Sequence, residues 1–319
     1  MTKHYDVTAL GEVLIDFTEN GSSAQGNPMY EANPGGAPCN VLAMLQKFGH
    51  KTAFLGKVGE DIFGRRLEIV LKEAGIDTAG LCMDPTVRTT LAFVEKKADG
   101  DRDFSFYRNP GADMMLRTEE LQEQILKDTR IFHFGTLSMT DEPVRSATRH
   151  AIETAKANGA MLSFDPNIRE PLWQSMEEAK RQTAYGMEVC DVLKISDNEI
   201  RWFTGEEDFD RGVDQLWREY HIPMILLSMG SGGSRAYCGS RRAEQPAFLQ
   251  ESTIETTGAG DTFGACCLHY ILEHGMAGLG TTELEEMLRF ANAAASIVTT
   301  RRGALRVMPE PEEIQALLV

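Results

Sequence analysis

The sequence is poor in positive charge and in cysteine, and it has no long apolar run. Of its 319 residues, 32 are Lys or Arg against 48 Asp or Glu, a formal net charge of −16. A chain so acidic has no general basic face for nucleic acid or an anionic membrane, and neither is expected as a partner. No stretch approaches the ~18 apolar residues of a membrane span. The opening MTKHYDVTALGEV lacks the basic-then-apolar pattern of a secretion signal, so a cytoplasmic location is expected. Six cysteines without a CxxC pair are too few for a disulfide scaffold at this length, and reduced thiols are expected. Several catalytic signatures are missing too. There is no GxxxxGK[ST] phosphate loop, no GxGxxG after a strand, no HExxH or clustered Cys and His for zinc, and no GxSxG elbow.

What is present is an alternation of short apolar runs with longer helical patterns, the signature of βαβ units around a parallel sheet. The pattern predicts strands at 7–10, 53–58, 131–134, 161–164, 192–195 and 224–228. It predicts helices at 40–48, 63–74, 143–158 and 284–300, three of the first set closed by Gly49, Gly75 and Gly159. Runs such as MILLS are apolar throughout, as central parallel strands are. Two segments break the rhythm. Leu14–Asn33 is polar, and Arg88–Gly111 alternates around Asp99-Gly100, a hairpin signal. That hairpin is either a lid over a site at the sheet's edge or a surface decoration.

Ligands of open α/β sheets bind beyond the carboxyl ends of the strands. Here those ends carry Gly11-Glu12 and Asp16, then Asp165-Pro166-Asn167-Ile168-Arg169, then Lys194, Ser196 and Glu199, then Ser228 to Gly233. Each alone is an ordinary turn or cap; their recurrence points to one shared polar site. Thr257-Gly258-Ala259-Gly260-Asp261 leads straight into an apolar helix. Such a start aims unpaired N–H groups and the helix dipole at one spot, an anion cradle. Asp261 in the first turn either simply favours the dipole or serves as a general base beside the cradle, the pairing that phosphoryl transfer requires.

These residues resemble the ribokinase-type (PfkB) carbohydrate kinases, and within them the fructokinases. The resemblance rests on Asn33-Pro34-Gly35-Gly36-Ala37-Pro38-Cys39-Asn40-Val41, on Gly56 to Gly64, and on Phe106 to Met114. Asp165 to Arg169, Thr257 to Asp261, Phe290 to Ala295 and Arg301 to Ala304 extend it over nearly the whole chain. It implies a ribokinase-like three-layer α/β sandwich around a mostly parallel sheet, in one kinase domain over 1–319. A small β lid would be formed by about 12–34 and 86–113. It implies ATP-dependent phosphorylation of a sugar, most directly D-fructose to fructose 6-phosphate. Asp261 would be the base and the amides of Gly258, Ala259 and Gly260 the anion hole.

By the same resemblance Asp16, Gly35, Gly36, Asn40 and Arg108 would hold the sugar. Asn167, Arg169 and Lys194 would face the ATP phosphates, Ser228, Gly230 and Gly233 would line the nucleotide, and Asn292 would lie near the adenine. Glu199 would reach magnesium through water. Glu255, Thr257, Val298, Arg301 and Gly303 correspond to a monovalent cation (potassium) site, and a homodimer through the lid is implied. Three positions depart from the family pattern: Glu255 for Asp or Asn, Ser196 for Asn, and Leu42 for a small residue. Two other readings fit the sequence, a PfkB kinase for 2-keto-3-deoxygluconate or ribose, and a non-catalytic nucleotide-binding relative.

Overall fold

The computed structural model of the chain describes residues 3–96 and 102–319. Its strands, in chain order, are β1 Tyr5–Leu10, β2 Leu14–Ser22, β3 Pro28–Gly35, β4 Thr52–Gly59, β5 Asp77–Asp84, β6 Leu91–Lys96 and β7 Arg102–Tyr107. They continue as β8 Thr129–Gly135, β9 Met161–Asp165, β10 Val192–Ser196, β11 Met224–Ser228, β12 Ser234–Cys238 and β13 Arg241–Gln245. Nine of them form one sheet in the order β13-β12-β11-β10-β9-β8-β1-β4-β5. Pairings from β11 through to β5 are parallel, while β12 and β13 add an antiparallel edge.

Alternation along the central strands divides the core into two. Ala9, Phe54, Ile131, Val192 and Leu226 face one apolar cluster, shared with the helices Ala37–Lys47, Ile62–Glu73, Ala259–His274 and Thr281–Val298. Leu10, Leu55, Phe132, Leu193 and Leu227 face the other, shared with Val144–Ala157, Met176–Val189 and Phe209–Tyr220. Both faces are covered, which is why these strands are mostly apolar on both sides, with Thr8, His133, Ser163 and Lys194 as buried polar exceptions. The layering is the ribokinase-like α/β architecture that the resemblance implies.

All six strands expected from the sequence are present, and Met224–Ser228 has the expected bounds. The four expected helices are present with shifted ends, and Gly49, Gly75 and Gly159 follow three of them with positive φ. Not foreseen is the β12–β13 edge, whose polar sequence SRAYC and RRAEQ carries no run of buried residues.

The two segments that broke the rhythm form a second sheet, ordered β3-β2-β6-β7. Here β2 is antiparallel to β3 and parallel to β6, and β6 is antiparallel to β7. The Asp99-Gly100 turn expected between β6 and β7 lies outside the described residues. This sheet carries Leu14, Asp16 and Phe106 to the wall of a cleft at the carboxyl ends of the large sheet's strands.

Candidate active site

Two cavities meet at the start of the Ala259–His274 helix. One, about 580 Å³, is polar and lined by Glu12, Asp16, Asn40, Arg169, Lys194 and Asp261 among others. The second, about 450 Å³, is lined by Ser228, Gly230, Gly233, Phe248, Ala259 and Asn292 among others. Thr253, Thr256 and Gly260 border both. A polar chamber and a largely apolar one therefore share the helix N-terminus as their common wall.

That N-terminus is prepared by Gly258, whose φ of 79° caps the helix in the left-handed region. The first N–H groups of a helix lack intrahelical partners and carry its positive end. The Ala259 N–H is drawn into a turn, donating to the Thr256 carbonyl at 3.2 Å. The anion cradle expected from three amides thus has its middle one engaged within the protein.

Asp261 sits buried in the first turn and accepts a hydrogen bond from Asn40 Nδ2 at 2.7 Å. Burial raises its pKa, against the opposing pull of the Asn40 hydrogen bond and of the Lys194 and Arg169 charges. A carboxylate so placed takes up a proton more readily than a free one, which suits a general base. Asn40 is presented by the Ala37–Lys47 helix, whose first N–H, at Ala37, donates to Glu12 Oε1 at 2.9 Å. Its own Oδ1 is buried with no hydrogen-bond partner among the described residues. That leaves an acceptor for a hydroxyl beside the base.

Gly35 and Gly36 earn their place by space. A Cβ on Gly35 would lie 2.4 Å from Asp16 Oδ2, and one on Gly36, with φ 122°, would lie 2.4 Å from the Glu12 carbonyl oxygen. Burial pushes the Asp16 carboxyl up to about 7, with Arg169 opposing and Glu255 and Asp261 reinforcing. Glu12 is likewise raised to about 7 by burial.

On the far side Lys194 Nζ pairs with Asp165 Oδ2 at 2.9 Å. Burial alone would lower the lysine, but Asp165, Glu199 and Asp261 outweigh it and its pKa rises. Asp165 goes up to about 7, burial outweighing Lys194. Its Oδ1 has no hydrogen-bond partner among the described residues. Glu199 has both oxygens in use. Oε1 accepts from the Ile168 N–H at 2.9 Å, and Oε2 accepts from the Ser196 N–H at 2.9 Å and hydroxyl at 2.7 Å. Ser196, one of the departures from the family pattern, is thus the N-cap that orients Glu199.

The expected residues divide clearly. Asp16, Gly36, Asn40, Asn167, Arg169, Lys194, Glu255, Thr257, Gly258, Gly260 and Asp261 line the polar cleft. Ser228, Gly230, Gly233, Ala259 and Asn292 line the second cavity. Asn292 Nδ2 donates to the Gln245 and Pro246 carbonyls at 3.2 and 2.9 Å, tying the Thr281–Val298 helix to that wall. On the sugar side Gly35, set against Asp16, is not itself in the cleft lining, and Arg108 lies further off. It is neither in the cleft lining nor solvated, but buried, with Nε on Asp113 Oδ2 at 2.7 Å, Nη1 on Thr140 at 3.1 Å and Nη2 on the Leu137 carbonyl at 2.9 Å. Through Leu137 it braces the cleft wall from behind. At the cation-site positions, the Gly303 N–H donates to Glu255 Oε1 at 2.8 Å and the Arg301 N–H to the Val298 carbonyl at 3.0 Å. Sequence reasoning placed Glu12 and Asp165 among the strand-end polar groups of a shared site without an individual role, and gave no role to Phe106 or Leu137. Glu12 and Asp165 at least stood at strand ends, where a buried acid is the available signal.

The profile of the pfkB family carbohydrate kinases matches residues 5–311. A probable fructokinase-4 from Arabidopsis thaliana is 40% identical over 315 residues, covering 98% of this chain and 96% of its own. Fructokinase-1 from Zea mays is 40% identical, covering 98% and 97%. Among solved structures, a fructokinase from Xylella fastidiosa with bound ATP aligns with a TM-score of 0.89 at 31% identity, covering 98% of both chains. A Vibrio cholerae O395 fructokinase variant holding fructose, ADP and potassium aligns with a TM-score of 0.89 at 27% identity, covering 100% of both. Matched by the family over residues 5–311 and 40% identical to a relative over 98% of its length, this protein belongs to the pfkB family of carbohydrate kinases.

Proposed function

We propose that the chain transfers the γ-phosphoryl group of ATP to the 6-hydroxyl of D-fructose. The observation that carries this reading is the position of Asp261, buried at the helix start where the polar cleft and the second cavity meet. Fructose in the polar cleft places a hydroxyl between Asp261 and the Asn40 carboxamide, while the adenosine moiety lies along Ser228, Gly230, Gly233 and Asn292. As the hydroxyl oxygen bonds to the γ-phosphorus, Asp261 takes its proton. The bond from phosphorus to the β,γ-bridging oxygen breaks, and ADP leaves with that electron pair. The helix N-terminus, Arg169 and Lys194 face the charge that builds on the transferring group.

Hard oxygen donors suit magnesium, and the unpartnered Asp165 Oδ1 together with the oriented Glu199 carboxylate fits it. When bound to the phosphates it neutralises their charge. The identity of the sugar is supported by the curated relatives, which are fructokinases. The β2-β3-β6-β7 sheet acts as a lid. Its exposed Met29, Tyr30 and Tyr107 support pairing between two copies, to be checked by light scattering.

The test is a coupled assay with ATP and magnesium over fructose, glucose, ribose and 2-keto-3-deoxygluconate, with and without potassium. Fructose is expected to give the highest kcat/KM and potassium to raise it. Preference for the acid sugar or for ribose overturns the substrate assignment. No turnover with any of them overturns the kinase assignment.

A further inference from the structure

Far from the cleft, two histidines and a glutamate converge on one point. His50 follows the Ala37–Lys47 helix, and its Nε2 lies 2.8 Å from His269 Nδ1 on the Ala259–His274 helix. Glu273 is one turn beyond His269, so the two share a face. One ligand atom from each of the three residues lies within 4.8 Å of the others. We infer that His50, His269 and Glu273 form a binding site for a zinc-class divalent cation.

The surroundings fit this reading. His50 Nδ1 faces Asp6 Oδ2 at 3.8 Å, and Asp6 is itself held by the Lys51 N–H at 3.0 Å and by Arg130 at 2.8 Å. A carboxylate behind a histidine keeps the proton on the rear nitrogen and leaves the front one free to ligate. The His269 ring is fixed by stacking on Phe48, with centroids 4.3 Å apart and 19° between planes. Access is provided by a cavity of about 290 Å³ lined by His269, Glu273, His274 and Glu286.

With the His50 proton held on Nδ1 toward Asp6, the short contact between the histidines is Nδ1–H of His269 donating to Nε2 of His50. Binding moves the His269 proton to its Nε2, which faces away, and both front nitrogens then coordinate. Zn–N bonds of ~2.1 Å in tetrahedral array require the nitrogens to separate to about 3.4 Å, a small rotation of the less buried His269 ring. Three protein ligands leave the fourth position to water. The site joins the far end of the helix that carries Asp261 to the segment following the helix that carries Asn40. Its effect is therefore on stability rather than on chemistry.

The experiment is zinc titration of chelator-stripped full-length protein by calorimetry, with cobalt(II) as a spectroscopic probe and thermal melts in parallel. One zinc per chain is expected, with the strong visible absorption of four-coordinate cobalt and a raised melting midpoint. His269→Gln and Glu273→Gln are each expected to weaken binding by about tenfold or more. They also remove the zinc-dependent rise in midpoint, while turnover with magnesium and ATP in zinc-free buffer equals that of the wild type. Absence of stoichiometric binding overturns the inference. So does binding of unchanged affinity in both variants, which places the zinc elsewhere.

Discussion

Asn40 and Asp261 stand 221 residues apart and share a hydrogen bond of 2.7 Å between two buried side chains. The carboxamide gives the buried carboxylate a donor at the edge of the polar cleft. Replacing Asp261 by Asn keeps the packing and removes the base, so kcat is expected to fall by ~10²–10⁴-fold with the ATP affinity retained. Replacing Asn40 by Ala removes one of the influences holding the Asp261 pKa down. The acid limb of its pH–rate profile is therefore expected at higher pH than in the wild type. An unshifted limb, or near-normal turnover in Asp261→Asn, contradicts the assignment of the base.

The pair Lys194 and Asp165 lends itself to a double-variant cycle. Lys194→Met leaves Asp165 buried without its cation, a loss of about 3–5 kcal/mol in comparable cases. Chemical denaturation of Lys194→Met is expected to show a clear loss of stability, largely restored in the Lys194→Met, Asp165→Asn double variant. The KM for ATP should stay raised in both, because the charge facing the phosphates is absent from both. Recovery of ATP affinity with the double variant means that Lys194 acts only through Asp165.

Gly35 and Gly36 are adjacent but are predicted to respond differently to Ala. The added Cβ at 35 meets the end of the Asp16 side chain, which swings away at small cost to the fold. Gly35→Ala is thus expected to raise the KM for the sugar while leaving the melting midpoint within a few degrees. At 36 the obstacle is the Glu12 carbonyl of the main chain, and φ is 122°. Gly36→Ala is expected to lower the midpoint substantially. Equal behaviour of the two variants contradicts this account.

What could be read in the sequence, and what could not, follows from the range of the interactions. Strands such as Met224–Ser228 announce themselves because both faces are covered, so Met224 to Leu227 are all apolar. The Gly258–Asp261 segment was legible because a helix start needs only contiguous residues to define it. Arg108 was misplaced because its partners Thr140 and Leu137 arrive from 32 and 29 residues away. A charged residue on an alternating strand looks the same whether it ends in solvent, in a cleft or in a buried ion pair. Likewise the β12–β13 edge buries Ser234, Ala236, Cys238 and Ala243, a serine and small residues that do not stand out as an apolar run. His50 and His269 meet across 219 residues, so scattered histidines concealed a cluster.

The small sheet gives a prediction about motion. It supplies Asp16 and Phe106 to the cleft, so a sugar bound there bridges it to the large sheet. Hydrogen exchange in β2 and β6 is expected to slow when fructose is added and to slow further with an unreactive ATP analogue. Unchanged exchange in both strands is incompatible with a lid.

Asp16 also makes the stability of the ligand-free protein depend on pH. Its carboxyl is raised from 3.8 to about 7 by burial in the folded chain. Between those values the folded state holds a proton that the unfolded state has released. Unfolding is therefore progressively favoured as pH rises from about 4 to about 7. His133, lowered to about 4 by burial, has the opposite effect in the same range, so the wild-type profile alone does not isolate Asp16. The comparison with Asp16→Asn does, because the amide does not titrate and the other groups largely cancel. Thermal melts of both proteins at pH 5 and pH 8, without ligand, are expected to show Asn gaining on Asp at the higher pH. A difference that is constant with pH means that Asp16 is already ionised at pH 5 in the folded protein.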